Sequence, residues 1–232
     1  MKKAYFFDMD GVLFDSMPNH AVAWEEVMKQ HGLPFTVRDC YINEGRTGES
    51  VIREAILKAY SREATPEEIQ TIYAEKSSYY TMLEQKAGGT PVINGVASVL
   101  EFVQSCGDQI WVVTGSGMRT LLDKLNMVLP SVFGRDKMIT AFDVVKGKPD
   151  PEPYLKAWER SGLTKEQCVV VENAPLGIQS GKAAGLMVYA VNTGILERDD
   201  LVNAGADKVF NSMQELLEEL KAENVNINIK NV

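Results

Sequence analysis

"YFFDMDGVLFDS", residues 5–16, ends an apolar run in two aspartates one residue apart and follows them with a glycine. Read as a strand, the run puts Asp8 and Asp10 on the same side, because side chains alternate between faces. Neighbouring carboxylates repel, and each resists losing water. Such a pair destabilises a fold unless something stands between the charges. A divalent cation does this, since hard cations such as Mg2+ take carboxylate oxygens readily. The competing reading is a loop in which aspartate caps the next helix. Capping suits Asp15 and Ser16, just before "NHAVAWEEVM" (19–28), better than Asp8 and Asp10, wedged between "AYFF" and Gly11.

The chain's 232 residues suffice for one large domain or for a core with an insertion. Hydrophobic residues make up 45%, which suits a globular protein with a real core. With 24 Lys and Arg against 32 Asp and Glu, the net charge is −8. Non-specific nucleic-acid binding needs a basic face and is not expected. An anionic substrate would be met by a few placed lysines or a metal. Cys40, Cys106 and Cys168 are odd in number and lack metal-type spacing, so buried free thiols in a reducing cytosol are expected. No signal peptide is recognised, and no apolar run reaches membrane-spanning length. A cytoplasmic monomer without membrane contact is the expectation.

Short apolar runs rich in β-branched and aromatic residues recur: "AYFFD" (4–8), "IWVVT" (110–114), "VVVE" (169–172) and "VYAVN" (188–192), with weaker ones at 137–142 and 206–210. Apolar throughout, they read as strands buried on both faces of a parallel sheet. Helical patterns separate them at 95–105, 117–126, 151–161, 175–184 and 212–222. This alternation predicts an α/β, doubly wound parallel sheet with ligands at the carboxyl ends of its strands. Asp8, Thr114 and Glu172 stand at those ends. Residues 16–88 read as helices without a strand, so a helical cap is expected there, inserted into a core of 1–15 and 89–232. The tail "NVNINIKNV" (224–232) alternates and reads as an added edge strand or as disorder.

Three further motifs lie at strand ends. In "VVTGSG" (112–117), a hydroxyl and two glycines open a helix, where backbone N–H groups can cradle an anion. In "KGKPDPEPY" (146–154), lysines precede prolines and a helix start, and Lys146 reads as a solvated charge. In "VVVENAPLGIQSGKAAG" (169–185), Glu172 and Asn173 offer oxygen ligands. Gly177, Gly181 and Gly185 suit close helix packing.

In this order, DxDGxxxDS, a threonine after an apolar strand, GKPxPxxY and a final acidic pair resemble the haloacid dehalogenase (HAD) superfamily of phosphotransferases. The resemblance runs from Tyr5 to about Gly194, and the helical insert resembles the cap of the β-phosphoglucomutase-like branch. It implies a Rossmann-like core and a small phosphorylated substrate. It also implies Mg2+ held by Asp8, the Asp10 main-chain carbonyl and the Glu172–Asn173 pair. Asp8 would be the nucleophile, forming an aspartyl phosphate. Asp10 would protonate the leaving oxygen and then deprotonate water, and Thr114, Gly115, Ser116 and Lys148 would hold the phosphoryl oxygens. True dehalogenases lack the second aspartate, so Asp10 argues for phosphate chemistry. His20 and Lys76 match cap positions of the branch. His20 would hydrogen-bond Asp10, and Lys76 would meet a second anionic group. Trp24 reads as cap packing.

"YINEGRTGES" (41–50) departs from the sugar phosphomutases that it resembles. They carry a basic residue at Glu44, an arginine at Gly48 and an asparagine at Met118. Three anion-binding groups are thus absent, unless Arg46 or Arg119 compensates. The final pair is also one carboxylate short, and a cap carboxylate, Glu44, reaching the metal would restore the charge. The plain alternative is a surface Glu44 paired with Arg46. This pattern looks like the HAD-type inorganic pyrophosphatases, so hydrolysis of pyrophosphate is expected. A β-phosphoglucomutase and a non-catalytic phosphate-binding domain are the alternatives.

Overall fold

The computed structural model describes residues 2–116, 125–126 and 132–230. Six strands form one parallel sheet: β1 (Ala4–Phe7), β2 (Gln109–Val113), β3 (Met138–Ile139), β4 (Cys168–Glu172), β5 (Met187–Val191) and β6 (Lys208–Phe210). Their spatial order is β3-β2-β1-β4-β5-β6. β1 is therefore central, with Phe6 beside Trp111 on one flank and Val170 on the other. The order reverses between β1 and β4, and such a switch point opens a crevice at the strands' carboxyl ends.

Alternation along β1 builds two cores. Ala4 and Phe6 pack with Trp111, Val170 and Tyr154 on one face of the sheet; Tyr5 and Phe7 pack with Leu100, Val112 and Leu216 on the other. The first face is covered by α6 (Glu152–Ser161) and α7 (Pro175–Ala183), the second by α5 (Val96–Ser105) and α9 (Met213–Lys230). α8 (Arg198–Asn203) leads into β6. In α7, Gly181 lies against Val188, Gly177 leaves room for the Glu172 carboxylate, and Gly185 ends the helix region with φ +75°.

Between β1 and α5 the chain forms α1 (Met17–Gln30), α2 (Val37–Ile42), α3 (Gly48–Tyr60) and α4 (Pro66–Lys86), and no strand. α1 packs on α2 and α4, and α3 on α4. Local chemistry sets the helix starts. Thr36 with Asp39 and Thr65 with Glu68 form reciprocal capping boxes, and the Thr47 hydroxyl accepts from the Ser50 amide. The two chain crossings into this insert lie side by side. Phe14 bridges Val92 antiparallel, Asp15 N donates to Pro91 O (2.9 Å), and Ile93 N donates to Leu13 O (3.0 Å).

Two expectations are corrected. The tail is not an edge strand as far as it is described: α9 continues to Lys230. Once its Glu-, Leu- and Lys-rich first turns are formed, each further residue adds a hydrogen bond, and this outweighs a short alternating pattern. The weak run at 137–142 contributes only two strand residues, Met138 and Ile139. The helix expected over 117–126 falls outside the described residues except for 125–126, which are helical, and Met118 and Arg119 lie outside them altogether. Cys40 and Cys168 are buried, Cys106 is half-buried, and all three are free thiols. Among the described residues no helix is long and apolar enough to cross a membrane.

Leu100 of α5 is buried in the second core, whereas Val22 of α1 is 45% exposed. In urea titrations Leu100→Ala is expected to lower the unfolding free energy by about 2–5 kcal/mol, and Val22→Ala by no more than about 0.5 kcal/mol.

Candidate active site

The crevice at the switch point is organised around one ammonium. Lys148 is buried, and its Nζ donates to Asp8 Oδ1 (2.6 Å), Glu172 Oε1 (2.7 Å) and the Val113 carbonyl (3.1 Å). These acceptors sit at the ends of β1, β4 and β2, so the sheet order itself assembles them. The Asp8 amide is tied to Val171 O at 2.9 Å, which fixes the carboxylate's origin between two strands. Glu172 is fully engaged. Its Oε1 also accepts from the Tyr154 hydroxyl (2.7 Å), and its Oε2 accepts from the main-chain amides of Asn173 and Ala174. Burial pushes the Asp8 carboxyl up, against the pull of Lys148. Burial alone would lower Lys148, but the Asp8 and Glu172 charges override it and raise it.

Asp10 has a separate set of partners. Ser16 Oγ donates to its Oδ1 at 2.5 Å, and His20 Nε2 stands 3.6 Å from the same oxygen. Ser16 precedes α1 but makes no side-chain cap, so the capping role expected for it is corrected. Its hydroxyl has a carboxylate in reach and takes the stronger, charge-assisted bond. Behind His20, Lys76 Nζ lies 2.7 Å from Nδ1, and the imidazole stacks on Tyr80 with ring centres 4.0 Å apart. A charged Lys76 makes Nδ1 an acceptor, which leaves the ring proton on Nε2, facing Asp10. Burial would raise Asp10, but His20, Ser16 and Lys76 more than offset it and hold it down to about 2. Lys76, 7% exposed, is pushed down to about 8 by its burial. Its ammonium lies 5.0 Å from the ring centre of Trp24, which is buried in the insert.

The 43–48 loop reaches down onto this floor. Glu44 is 7% exposed, and both its oxygens accept from Asn173 Nδ2 (2.9 and 3.0 Å). The alternative pair with Arg46 does not form: Arg46 pairs with Glu54 on α3, and its buried Nε has no partner among the described residues. Burial and the Asp8, Glu172 and Asp10 charges raise Glu44 well above the ordinary carboxylate range. Gly11 makes the approach possible. It turns with φ +73°, and a Cβ there would stand 2.0 Å from Asn173 Nδ2 and 2.8 Å from Glu44 Oε1. Gly115 lies directly under the loop's Gly45 carbonyl. Thr114 Oγ1 accepts from Ser116 N (3.0 Å), closing the 114–116 turn. Lys146 stays at the surface near Asp150, as expected of a solvated charge.

The donor set fits a hard divalent cation. Among the described residues the buried Asn173 Oδ1 has no hydrogen-bond partner, and Asp8 and Glu44 add carboxylate oxygens nearby. Among the described residues no three His, Cys, Asp or Glu side chains form a metal cluster by themselves. Asp8, Asn173, Glu44 and the Asp10 carbonyl would share Mg2+ with water and substrate oxygens; Glu172, also expected as a ligand, has both oxygens engaged by Lys148, Tyr154 and the Asn173 and Ala174 amides. Above them a cavity of about 170 Å3 is lined by Asp8, Asp10, Glu44, Thr114, Lys76 and Tyr73, among others.

Sequence reasoning did not assign roles to Tyr154 or Tyr80. Tyr154 was visible as the tyrosine of GKPxPxxY, but nothing local shows that its hydroxyl reaches a glutamate eighteen residues on. Removing the central ammonium leaves two carboxylates facing each other in a dry site. Lys148→Met is expected to lower stability by about 3–5 kcal/mol in EDTA. Tyr154→Phe should cost about 1–3 kcal/mol, both read from urea unfolding followed by circular dichroism.

Comparison with known proteins places this geometry in a family. Residues 2–185 match the haloacid dehalogenase-like hydrolase family. A phosphorylated carbohydrates phosphatase of Thermotoga maritima is 30% identical over 93% of this chain and 100% of its own length. The beta-phosphoglucomutase of Bacillus subtilis is 27% identical over 94% of this chain and 97% of its own. A solved structure from Bacteroides vulgatus, with the provisional name beta-phosphoglucomutase, is 44% identical, superposes with a TM-score of 0.89, and aligns over 95% of this chain and 88% of that one. The chain belongs to the haloacid dehalogenase-like hydrolases, in their β-phosphoglucomutase-like branch.

Proposed function

We propose that this protein is a Mg2+-dependent phosphohydrolase that acts through an aspartyl phosphate on Asp8, with inorganic pyrophosphate as its substrate. At the coarser level it is a HAD-type phosphatase or phosphomutase. The observation that carries the finer reading is Glu44. A carboxylate from the insert is buried against Asn173 at the metal corner, where a second anionic group of a long substrate would need a cation. The cavity of about 170 Å3 points the same way. It lies below the roughly 300–1,000 Å3 of pockets for drug-sized ligands.

In this reading an Asp8 oxygen attacks phosphorus, and the P–O bond to the leaving phosphate breaks in line. Lys148 keeps the buried carboxylate compatible with the incoming anion. The Thr114 hydroxyl hydrogen and the 114–116 turn receive the transferring oxygens. Asp10, ionised in the free site, takes up a proton brought by the monoprotonated substrate, delivers it to the departing oxygen while Ser16 and His20 steer it, and recovers one from the water that cleaves the acyl phosphate. Mg2+, when bound, screens the repulsion between Asp8 and the phosphate and stabilises charge on the transferring group. Lys76 meets the leaving phosphate.

The relatives' names support a second reading, in which a sugar phosphate is hydrolysed, or β-glucose 1-phosphate is converted to glucose 6-phosphate. Comparing kcat/KM for pyrophosphate hydrolysis with that for this conversion separates the two. Pyrophosphate is expected to be much the better substrate; efficient mutase turnover with pyrophosphate inert would overturn the choice. Asp8→Asn should reduce turnover to background without altering the fold, since it conserves shape. Retained activity in that variant would remove Asp8 as nucleophile. Glu44→Ala is expected to raise the Mg2+ concentration for half-maximal activity by about 10–100-fold. An unchanged Mg2+ titration would make Glu44 a packing residue only.

A further inference from the structure

We infer that the Thr193–Gly194 turn after β5 is the seat on which the insert lands, and that it positions Glu44 over Asn173. This rests on the reading of Glu44 at the metal corner given above. Thr193 Oγ1 donates to the Gly11 carbonyl (2.5 Å), so the turn grips the loop that carries Asp10. Gly194 receives the insert. A Cβ built on it would stand 2.9 and 3.0 Å from Cε1 and Cδ1 of the Tyr41 ring. Tyr41 lies on α2, three residues before Glu44, and is buried. The turn itself is fixed to the sheet. Asn192 N donates to Phe210 O of β6 (2.8 Å), Thr193 N to Val191 O (3.0 Å), and Asn192 Nδ2 to Leu196 O (3.0 Å).

Backbone conformation does not call for glycine at 194, which is not among the glycines with positive φ. What the position needs is the absence of a Cβ, and the need comes from Tyr41. A second contact on the same seam is weaker. Arg38, one helical turn before Tyr41, pairs with Asp200 of α8 at 3.0 Å, and half of its side chain is exposed. An exposed ion pair adds little, so the ring on the glycine decides where α2 stops. Asn43 N and Nδ2 both donate to Asp39 O, and Arg46 N donates to Asn43 O. α2 and the 43–48 loop are thus one tied piece, and Glu44 moves with Tyr41. On the sheet side, Gly11 lies against Asn173 and Glu44, and Thr193 holds that turn by its carbonyl. One short segment thereby fixes both halves of the metal corner. Carbon atoms in contact settle about 3.5–4.0 Å apart, so a methyl at 194 would lift the ring by roughly 0.5–1 Å. Displacements of about 1 Å in a catalytic constellation cost on the order of 100-fold. The seat therefore decides whether Glu44 reaches the ion.

The test uses Gly194→Ala in three backgrounds (wild type, Tyr41→Leu and Glu44→Ala), with Thr193→Val and Thr193→Ser alongside. Two quantities are read: the Mg2+ affinity of the substrate-free enzyme by calorimetry, and hydrogen exchange of segment 43–48 in EDTA. In the wild-type background Gly194→Ala is expected to speed this exchange several-fold and to weaken Mg2+ binding about 10-fold, the lower end of what support for a metal ligand contributes. Both effects should shrink in the Tyr41→Leu background, where the clash is gone. The effect on Mg2+ should vanish in the Glu44→Ala background, because it acts through that carboxylate. Thr193→Val removes the donor and keeps the shape, and should move both readouts the same way; Thr193→Ser should keep the wild-type values. Lowered stability with both readouts unmoved makes the turn a packing element and overturns the seat. A Mg2+ loss that adds to that of Glu44→Ala overturns it as well. If Glu44→Ala leaves Mg2+ affinity unchanged while Gly194→Ala speeds exchange, the metal reading of Glu44 fails and the seat stands. If Glu44→Ala weakens Mg2+ and neither Gly194→Ala nor Thr193→Val moves exchange, the metal reading stands and the seat falls. Should Gly194→Ala not fold, the two Thr193 variants decide by the same readouts.

Discussion

A lysine buried between two carboxylates is the constraint on which the rest of this protein is built. Lys148 touches Asp8, Glu172 and the Val113 carbonyl, the ends of three adjacent strands. An ammonium so placed has lost its water and is tolerable only because each of its protons has an acceptor. That demand fixes β1 between β2 and β4, since a different strand order would separate the acceptors. It also explains why the strands stop where they do. The chain that supplies Lys148 leaves β3, passes under the insert's Gly45 and enters α6, whose Tyr154 then supports Glu172.

Charge around the floor is balanced in two blocks with a remainder. Lys148 serves Asp8 and Glu172, while His20, Lys76 and Ser16 serve Asp10. Glu44 is the remainder, because its hydrogen-bond partner among the described residues is the uncharged amide of Asn173. A buried carboxylate paired with an uncharged amide favours a neighbouring cation or a proton. The orphaned Asn173 oxygen beside it needs a ligand of positive character as well. Both needs fall on one spot, at the seam between insert and sheet.

The sheet was legible because its strands are buried on both faces and so appear as unbroken apolar runs. The polar residues that end them, Asp8, Thr114 and Glu172, could be picked out by position alone. The cap loop could be picked out by charge, since Glu44 stands out in a site for anions. Other features were hidden for definite reasons. Ser16 sits where a helix cap belongs, and only the folded distance to Asp10 shows that it serves a carboxylate instead. Gly48 looks like the loss of a side chain until the Tyr73 ring, twenty-five positions later, is seen to fill the gap. The tail's alternation was real, but a helix already propagating from Met213 overrides a local period of two.

The paired crossings at Phe14–Asp15 and Pro91–Ile93 carry a consequence for how such chains diversify. Both ends of the insert are stapled together by the two main-chain hydrogen bonds of one antiparallel bridge. To the sheet, the whole insert is therefore a single closed loop whose contents do not affect strand register. Lengthening a loop already closed adds little entropy, because the penalty grows only with the logarithm of length. Helices in it can be replaced, enlarged or trimmed by evolution while Asp8 and Lys148 stay where they are. What the insert must keep is the few side chains that reach the sheet, His20 with Lys76 behind it and Glu44; the rest of its helices are free to vary.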